Sequence, residues 1–356
     1  MKAGKLPADL LDRLLARLPA DPRVLLGPGI GRDAAAIDLG RGRVLVVKAD
    51  PVTLATEEIG RYVVHVNAND VACLGTRPAW FMATVLLPEG APPELAEQIF
   101  GQICAACDEL GIVPVGGHTE ITIGLERPMI AGTMLGEADR DDLVRPEDAR
   151  SGDHLVLTKG IAIEGTALLA REAPNELRRR GVPDSVIEAS ARLLIEPGIS
   201  VVREALAACG TGAVHALHDP TEGGLTTALF ELGQAARLRA LIRPADVPVL
   251  AATAAVCNAL ALDPFGLLAS GALLIAVGPD RCADVQNELR IEGVPASCVG
   301  ELASGEGVAI IDSRGEEPLP RFERDELARF LEAQGKRSAT PDTDEPRGQA
   351  PEQTEG

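Results

Sequence analysis

Six polar side chains stand where a chain can hold a cation: Asp33, Asp50, Asn67, Asp70, Glu120 and Asp219. Asp33 follows the glycine-rich stretch Gly27-Pro28-Gly29-Ile30-Gly31-Arg32. Asp50 ends an apolar run, Glu120 follows Gly116-Gly117-His118-Thr119, and Asp219 precedes Pro220-Thr221-Glu222-Gly223-Gly224. Oxygen donors with no Cys/His cluster describe a hard-cation site, Mg²⁺ before Zn²⁺. Mg²⁺ held by a few carboxylates usually serves a bound polyphosphate. The chemistry implied is ATP-dependent phosphoryl transfer without a Walker loop, because Gly-Lys-Ser/Thr does not follow the first glycines. Taken singly, each acid is better explained as a surface or structural group.

The elements that must position these residues follow from periodicity. A helical run beginning near Glu57 carries His65, Asn67, Asn69, Asp70 and Cys73 and ends at Gly75, a C-cap residue. A core hydrogen-bond network explains its amides as well as a cation site does. His65 is expected to pack rather than ligate. Strands are expected over 34–39, 43–49, 80–87, 111–115 and 128–136, with a helix over 93–110. Gly116-Gly117-His118-Thr119-Glu120 is then a loop after a strand. A boundary is placed in the acidic, turn-rich segment 137–153, giving domains 1–148 and 149–320, a terminal helix over 321–335 and a disordered tail over 336–356. In the second half, a strand over 213–217 leads to His218-Asp219, and a helix starts directly after Gly223-Gly224. Its N-terminus is a ready anion site.

Composition narrows the classes. The chain has 356 residues, 46% hydrophobic but only 2% aromatic, and a net charge of −19. Few aromatics and a strongly acidic balance argue against nucleic-acid binding. No stretch approaches the roughly 20 apolar residues of a membrane span, and the first twelve residues lack the apolar core of a signal peptide. Seven scattered cysteines suit a reduced, cytoplasmic chain. Cys104 and Cys107 have redox-motif spacing but lie in an amphipathic helical pattern.

As an ordered set, Gly31-Arg32-Asp33-Ala34-Ala35, Asp50-Pro51, His65-Val66-Asn67-Ala68-Asn69-Asp70, Gly116-Gly117-His118-Thr119-Glu120 and His218-Asp219-Pro220-Thr221-Glu222-Gly223-Gly224 resembles the aminoimidazole-ribonucleotide-synthetase-related (PurM-like) superfamily. The strings are most similar to the HypE-type hydrogenase maturation factor, with thiamine-monophosphate kinase as a related branch. The resemblance spans roughly Gly27 to Asp312. It implies an α+β chain: an α/β-like N-terminal domain whose strands build a barrel across a homodimer, then an α+β C-terminal domain. It further implies ATP with Mg²⁺ bound in the cleft. Carried over by motif, Asp33, Asp50, Asp70 and Asp219 hold metal, and Asp70 and Asp219 act in catalysis. Lys5, Asn67, Gly116, Gly117, Thr119, Gly223 and Gly224 contact nucleotide. The acceptor is an oxygen of a small molecule or a protein.

Three departures stand out. Relatives usually have Gly-Asp-Asp where this chain has Gly31-Arg32-Asp33, leaving Arg32 to contact phosphate or face water. His118 replaces an acid or amide. The HypE-type factor ends on a carbamoyl-accepting cysteine, whereas this sequence has its last cysteine at Cys298, so dehydration on a terminal thiol is not expected. The leading expectation is an ATP- and Mg²⁺-dependent kinase or synthetase. The alternatives are a nucleotide-binding regulatory or assembly protein with little turnover, and a structural homodimer.

Overall fold

A computed structural model describes residues 5–53, 55–319 and 321–338; the tail expected over 336–356 lies outside them from 339 onward, and its first three residues belong to the Glu326–Ser338 helix. Two sheets organise the chain. The first contains β1 (Val24–Leu26), β2 (Ala35–Gly40), β3 (Arg43–Val52), β4 (Trp80–Pro88), β5 (Val113–Thr122) and β6 (Met129–Asp139), in the order β1-β2-β3-β6-β4-β5. All neighbours are antiparallel except β4 and β5. The sheet is open, so a single chain closes no barrel; its edges are β1 and β5.

The second sheet contains β7 (His154–Thr158), β8 (Val214–His218), β9 (Arg239–Ile242), β10 (Leu274–Val277), β11 (Ala296–Ala303), β12 (Val308–Asp312) and β13 (Gly315–Pro318). Its order is β13-β12-β9-β11-β7-β10-β8. The mixture of helices and two separate sheets is the α+β class expected.

The Ile59–Ala72 helix lies between the halves. Twelve of its fourteen residues are buried, so it is enclosed on all sides rather than amphipathic. One side packs on β3 and β6, another on the Pro93–Leu110 helix and a third on the Val202–Gly210 helix. One apolar cluster therefore runs from Val63, Val71 and Leu74 into Val201, Ala205 and Ala208. Polar groups inside such a helix need internal partners, and the two asparagines find them in opposite directions. Asn67 accepts from the Asp50 backbone N–H (2.8 Å) and donates to the Asp50 and Val63 carbonyls. Asn69 accepts from Val201 N–H (2.8 Å) and donates to the Ile199 carbonyl (2.9 Å). Two residues apart on a helix, they face roughly opposite ways. One locks the helix to the first sheet and the other to the second half.

Strand β5 corrects one expectation. It continues through Gly116-Gly117-His118-Thr119-Glu120, so the expected loop is an exposed edge strand. The register with β4 shifts between Phe81 and Met82, opposite Pro114 and Gly116. Gly117 has φ +147°, and a Cβ there would stand 2.0 Å from the Ala83 carbonyl oxygen. The strand pairing itself requires glycine at this position.

Among the described residues, no helix is long and apolar enough to cross a membrane.

Candidate active site

Four elements deliver the four aspartates to one region at the junction of the halves. Asp33 comes from the glycine turn before β2, Asp50 from β3, Asp70 from the last turn of the buried helix and Asp219 from the residue after β8. Carboxylate oxygens of Asp33 and Asp219 lie with Cys73 Sγ within 4.8 Å of one another. Lys48 Nζ is 3.2 Å from Asp50 and 3.4 Å from Asp70. Asp70 and Asp219 are almost wholly buried.

The turn before β2 is held by packing. Gly31 has φ +74°, and a Cβ there would stand 2.2 Å from the Glu231 carbonyl oxygen. The glycine lets this turn approach the Gly224–Ala236 helix, not a ligand. That contact brings Asp33 beside His218, whose Nδ1 is 2.9 Å from Asp33 while its Nε2 is 3.3 Å from Glu231. Glu231 also accepts from Lys5 Nζ at 2.9 Å. A chain of alternating charge thus runs Lys5–Glu231–His218–Asp33.

Burial sets the electrostatics. It raises Asp70 well above the usual carboxylate range, reinforced by Asp219, Asp50 and Asp33 and opposed by Lys48. Burial and the charge of Asp33 push Asp219 up to about 7. His218 is pulled down by burial, but Asp33 and Glu231 outweigh it and hold the ring well above its ordinary value, as an imidazolium donating to both. Burial alone would raise Glu231, yet His218 and Lys5 bring it down to about 2.

These residues fit a hard cation. Asp219 Oδ1 accepts from Cys73 Sγ (3.6 Å), while its buried Oδ2 has no partner. An unpartnered buried carboxylate oxygen is costly unless something satisfies it. The donors within reach are mostly carboxylates, which suit Mg²⁺; burial raises the Cys73 thiol and keeps it protonated.

Not every expected residue joins this cluster. Asn67 has both ends of its amide bonded to backbone, so it positions Asp50 instead of offering a free ligand atom. One register row runs Asp50, Gly132, Ala83, Gly117 across three strand spacings, about 14 Å. Gly116, Gly117 and Thr119 therefore stand apart from the aspartates within one chain. His118 and Glu120 pair with each other on the exposed strand at 3.2 Å. Arg32, half-buried, bonds Glu147 (2.6 Å) and the Gly27 carbonyl, so its guanidinium is already engaged.

Two backbone donors of the expected anion site are already engaged. Gly223 N–H, at the N-terminus of the Gly224–Ala236 helix, donates to Asp325 Oδ2 at 2.6 Å. Gly224 N–H donates to the Thr221 carbonyl. The chain's own Asp325 carboxylate takes one of the donors that a phosphate could use. His65 is buried, with both ring nitrogens unpartnered, and burial lowers it to about 3, as suits a neutral packing residue.

Sequence reasoning missed Lys48, Cys73, His218, Glu231 and Glu164. The His218-Asp219 pair after a strand was a usable signal for His218. Glu164 is buried near this region, and burial pushes it up to about 7.

Comparison with known proteins agrees with this architecture. Residues 31–138 match the AIR synthase related protein N-terminal domain, and residues 150–313 match the corresponding C-terminal domain. The chain belongs to the AIR synthase related family. Among curated relatives, it is 28% identical to the carbamoyl dehydratase HypE of Cupriavidus necator, over 80% of this chain and 78% of that protein. It is also 28% identical to a selenide, water dikinase of Paraburkholderia xenovorans, over 86% and 91% respectively. Among solved structures, the hydrogenase maturation protein HypE in complex with ATP superposes with a TM-score of 0.63 at 23% identity, covering 92% of this chain and 98% of that one. The two curated relatives are enzymes by name.

Proposed function

We propose that this chain is an ATP- and Mg²⁺-dependent enzyme that transfers a phosphoryl group to an oxygen of a small-molecule or protein acceptor. The observation that carries the reading is the unpartnered buried oxygen of Asp219 beside Asp33. The relative solved with ATP and the relative named as a dikinase support it. In this reading Asp33, Asp50, Asp70 and Asp219 hold the metal, which when bound neutralises phosphate charge. Lys5 is 45% exposed at the rim of the cluster, where it can reach a phosphate by leaving Glu231. Asn67 fixes Asp50, and the His218 imidazolium fixes Asp33.

Gly116, Gly117 and Thr119 reach a nucleotide in this reading only across a homodimer. Strand β5 supports that association: it is an edge strand exposing Val113, Val115 and Ile121 at 53% or more, with exposed Ile123 just beyond its end. The division at 148/149 belongs to the same proposal.

A second reading is favoured by Lys48. Its ammonium already pairs Asp50 with Asp70 and lessens their need for a metal, as suits a nucleotide-binding assembly protein with little turnover. ADP release during incubation with Mg-ATP and candidate acceptors separates the two. Turnover supports the enzyme; binding without ADP release supports the assembly protein.

A further inference from the structure

We propose that His154, Cys282 and Cys298 form a second metal site, in the C-terminal half, for a thiolate-preferring tetrahedral cation such as Zn²⁺. The proposal does not depend on the acidic cluster, with which it shares no residue.

The geometry begins with a register shift. Strands β7 and β11 pair antiparallel with Glu301 opposite His154 and Cys298 opposite Val156. Three residues of β11 therefore span two of β7, and the register shifts between Cys298 and Gly300. Such a bulge turns a side chain to the other face of its strand. Without it Cys298 would face away from His154; with it, both point to the same side. The Cys282–Ile291 helix covers that side through Val285 and Leu289, which share an apolar cluster with Val156. Its first residue, Cys282, brings in the third donor.

The two Sγ atoms and a ring nitrogen of His154 lie within 4.8 Å of one another. Tetrahedral zinc with two thiolates and an imidazole separates its ligand atoms by about 3.5–3.8 Å. Rotamer adjustment of roughly 1 Å closes the difference. Cys282 is buried, while His154 and Cys298 are half-buried, which leaves an approach from solvent for the ion and a fourth ligand. An outer partner is already in place. Arg243 Nη2 lies 3.7 Å from Cys298 Sγ and 3.2 Å from the Cys298 carbonyl, while its Nε bonds Asp246 at 2.6 Å. Hydrogen bonds of this kind orient and stabilise a metal thiolate.

The thiol chemistry is consistent. Cys282, helped by His154 and Arg243, brings the Cys298 thiol below its ordinary value, toward the thiolate that a metal takes. Zinc takes both sulfurs as thiolates, so a remaining thiol proton leaves when the ion binds.

The test uses the full chain, reduced and freed of metal, titrated with Co²⁺ as a spectroscopic stand-in and then with Zn²⁺. One equivalent of Co²⁺ should produce thiolate-to-cobalt charge-transfer absorption that Zn²⁺ abolishes. Zn²⁺ should also protect Cys282 and Cys298 from alkylation, as mapped by mass spectrometry. Cys298→Ser and Cys282→Ala should each lose the absorption with the circular dichroism spectrum unchanged, and His154→Ala should weaken binding at least tenfold. Cys73→Ser and Cys104→Ser should leave it intact. No charge-transfer band, a band that survives Cys298→Ser, or protection mapped to other cysteines would overturn the proposal. Should a cysteine variant fail to fold, alkylation mapping on the unaltered chain decides alone.

Discussion

Lys48 Nζ stands 3.4 Å from Asp70 Oδ2 and 3.2 Å from Asp50, so an ammonium group bridges two residues that the motifs mark as metal ligands. Asp70 is 5% exposed, and Lys48 is the cation opposing its burial. Lys48→Met removes that cation and leaves a buried acid uncompensated. A loss of stability in urea denaturation is expected without Mg²⁺ at a pH high enough to ionise Asp70. If the aspartates form a cation site, millimolar Mg²⁺ restores more stability to the variant than to the unaltered chain. An equal response to Mg²⁺ would argue against the site.

The protons on Asp70 and Asp219 set a pH dependence. Both are raised by burial, Asp219 to about 7, and both must lose their protons before a divalent ion enters. Mg²⁺ affinity should therefore rise between about pH 6 and about pH 8. Without metal the sign reverses. The folded state holds these protons more tightly than the unfolded state, so stability falls as pH rises from about 4 through about 7. Calorimetric Mg²⁺ titrations and urea melts across this range check the two opposite trends.

Asn67 and Asn69 separate structure from binding. Replacing either with Ala leaves buried backbone groups unpartnered and should cost about 2–4 kcal/mol. Asn69→Ala acts at Ile199 and Val201 and should leave Mg²⁺ affinity unchanged in the folded protein. Asn67→Ala frees the Asp50 backbone and should weaken Mg²⁺ binding as well. Urea melts paired with calorimetry distinguish the two.

The exposed face of β5 tests the association. Ile121→Asp places a charge on an edge where Ile121 is 65% exposed and is expected to convert a dimer to a monomer without loss of secondary structure. Light scattering after size exclusion reads this directly. A monomeric unaltered chain would remove the homodimer, and with it the route by which Gly117 and Thr119 reach a nucleotide.

Much of the fold was legible because apolar periodicity and turn residues mark most elements locally. The Pro93–Leu110 helix has the bounds expected from its sequence. Strand β11 was missed: its small, polar Ala296-Ser297-Cys298 lacks alternation, although it is central in the second sheet. The four aspartates were legible because each stands at a turn, a strand end or within an otherwise apolar helix. Their partners were not. His218 meets Asp33 across 185 residues, and no local pattern encodes that contact. Glycines misled where packing, not ligand, demands them. Gly31 admits the Glu231 carbonyl and Gly117 the Ala83 carbonyl, constraints that exist only once the chain is folded. Asp325 likewise engages a helix end that sequence left open, from 102 residues away.

The central claim, a Mg²⁺-dependent nucleotide site built on Asp219, is tested most directly by the melting temperature with and without Mg-ATP, in the unaltered chain and in Asp219→Asn. A ligand at 100 times its dissociation constant adds about 2.7 kcal/mol to the folded state. The unaltered chain should show a clear upward shift that disappears when Mg²⁺ is chelated, and Asp219→Asn should fold but show none. No shift in the unaltered chain, or an equal shift in Asp219→Asn, would contradict the claim.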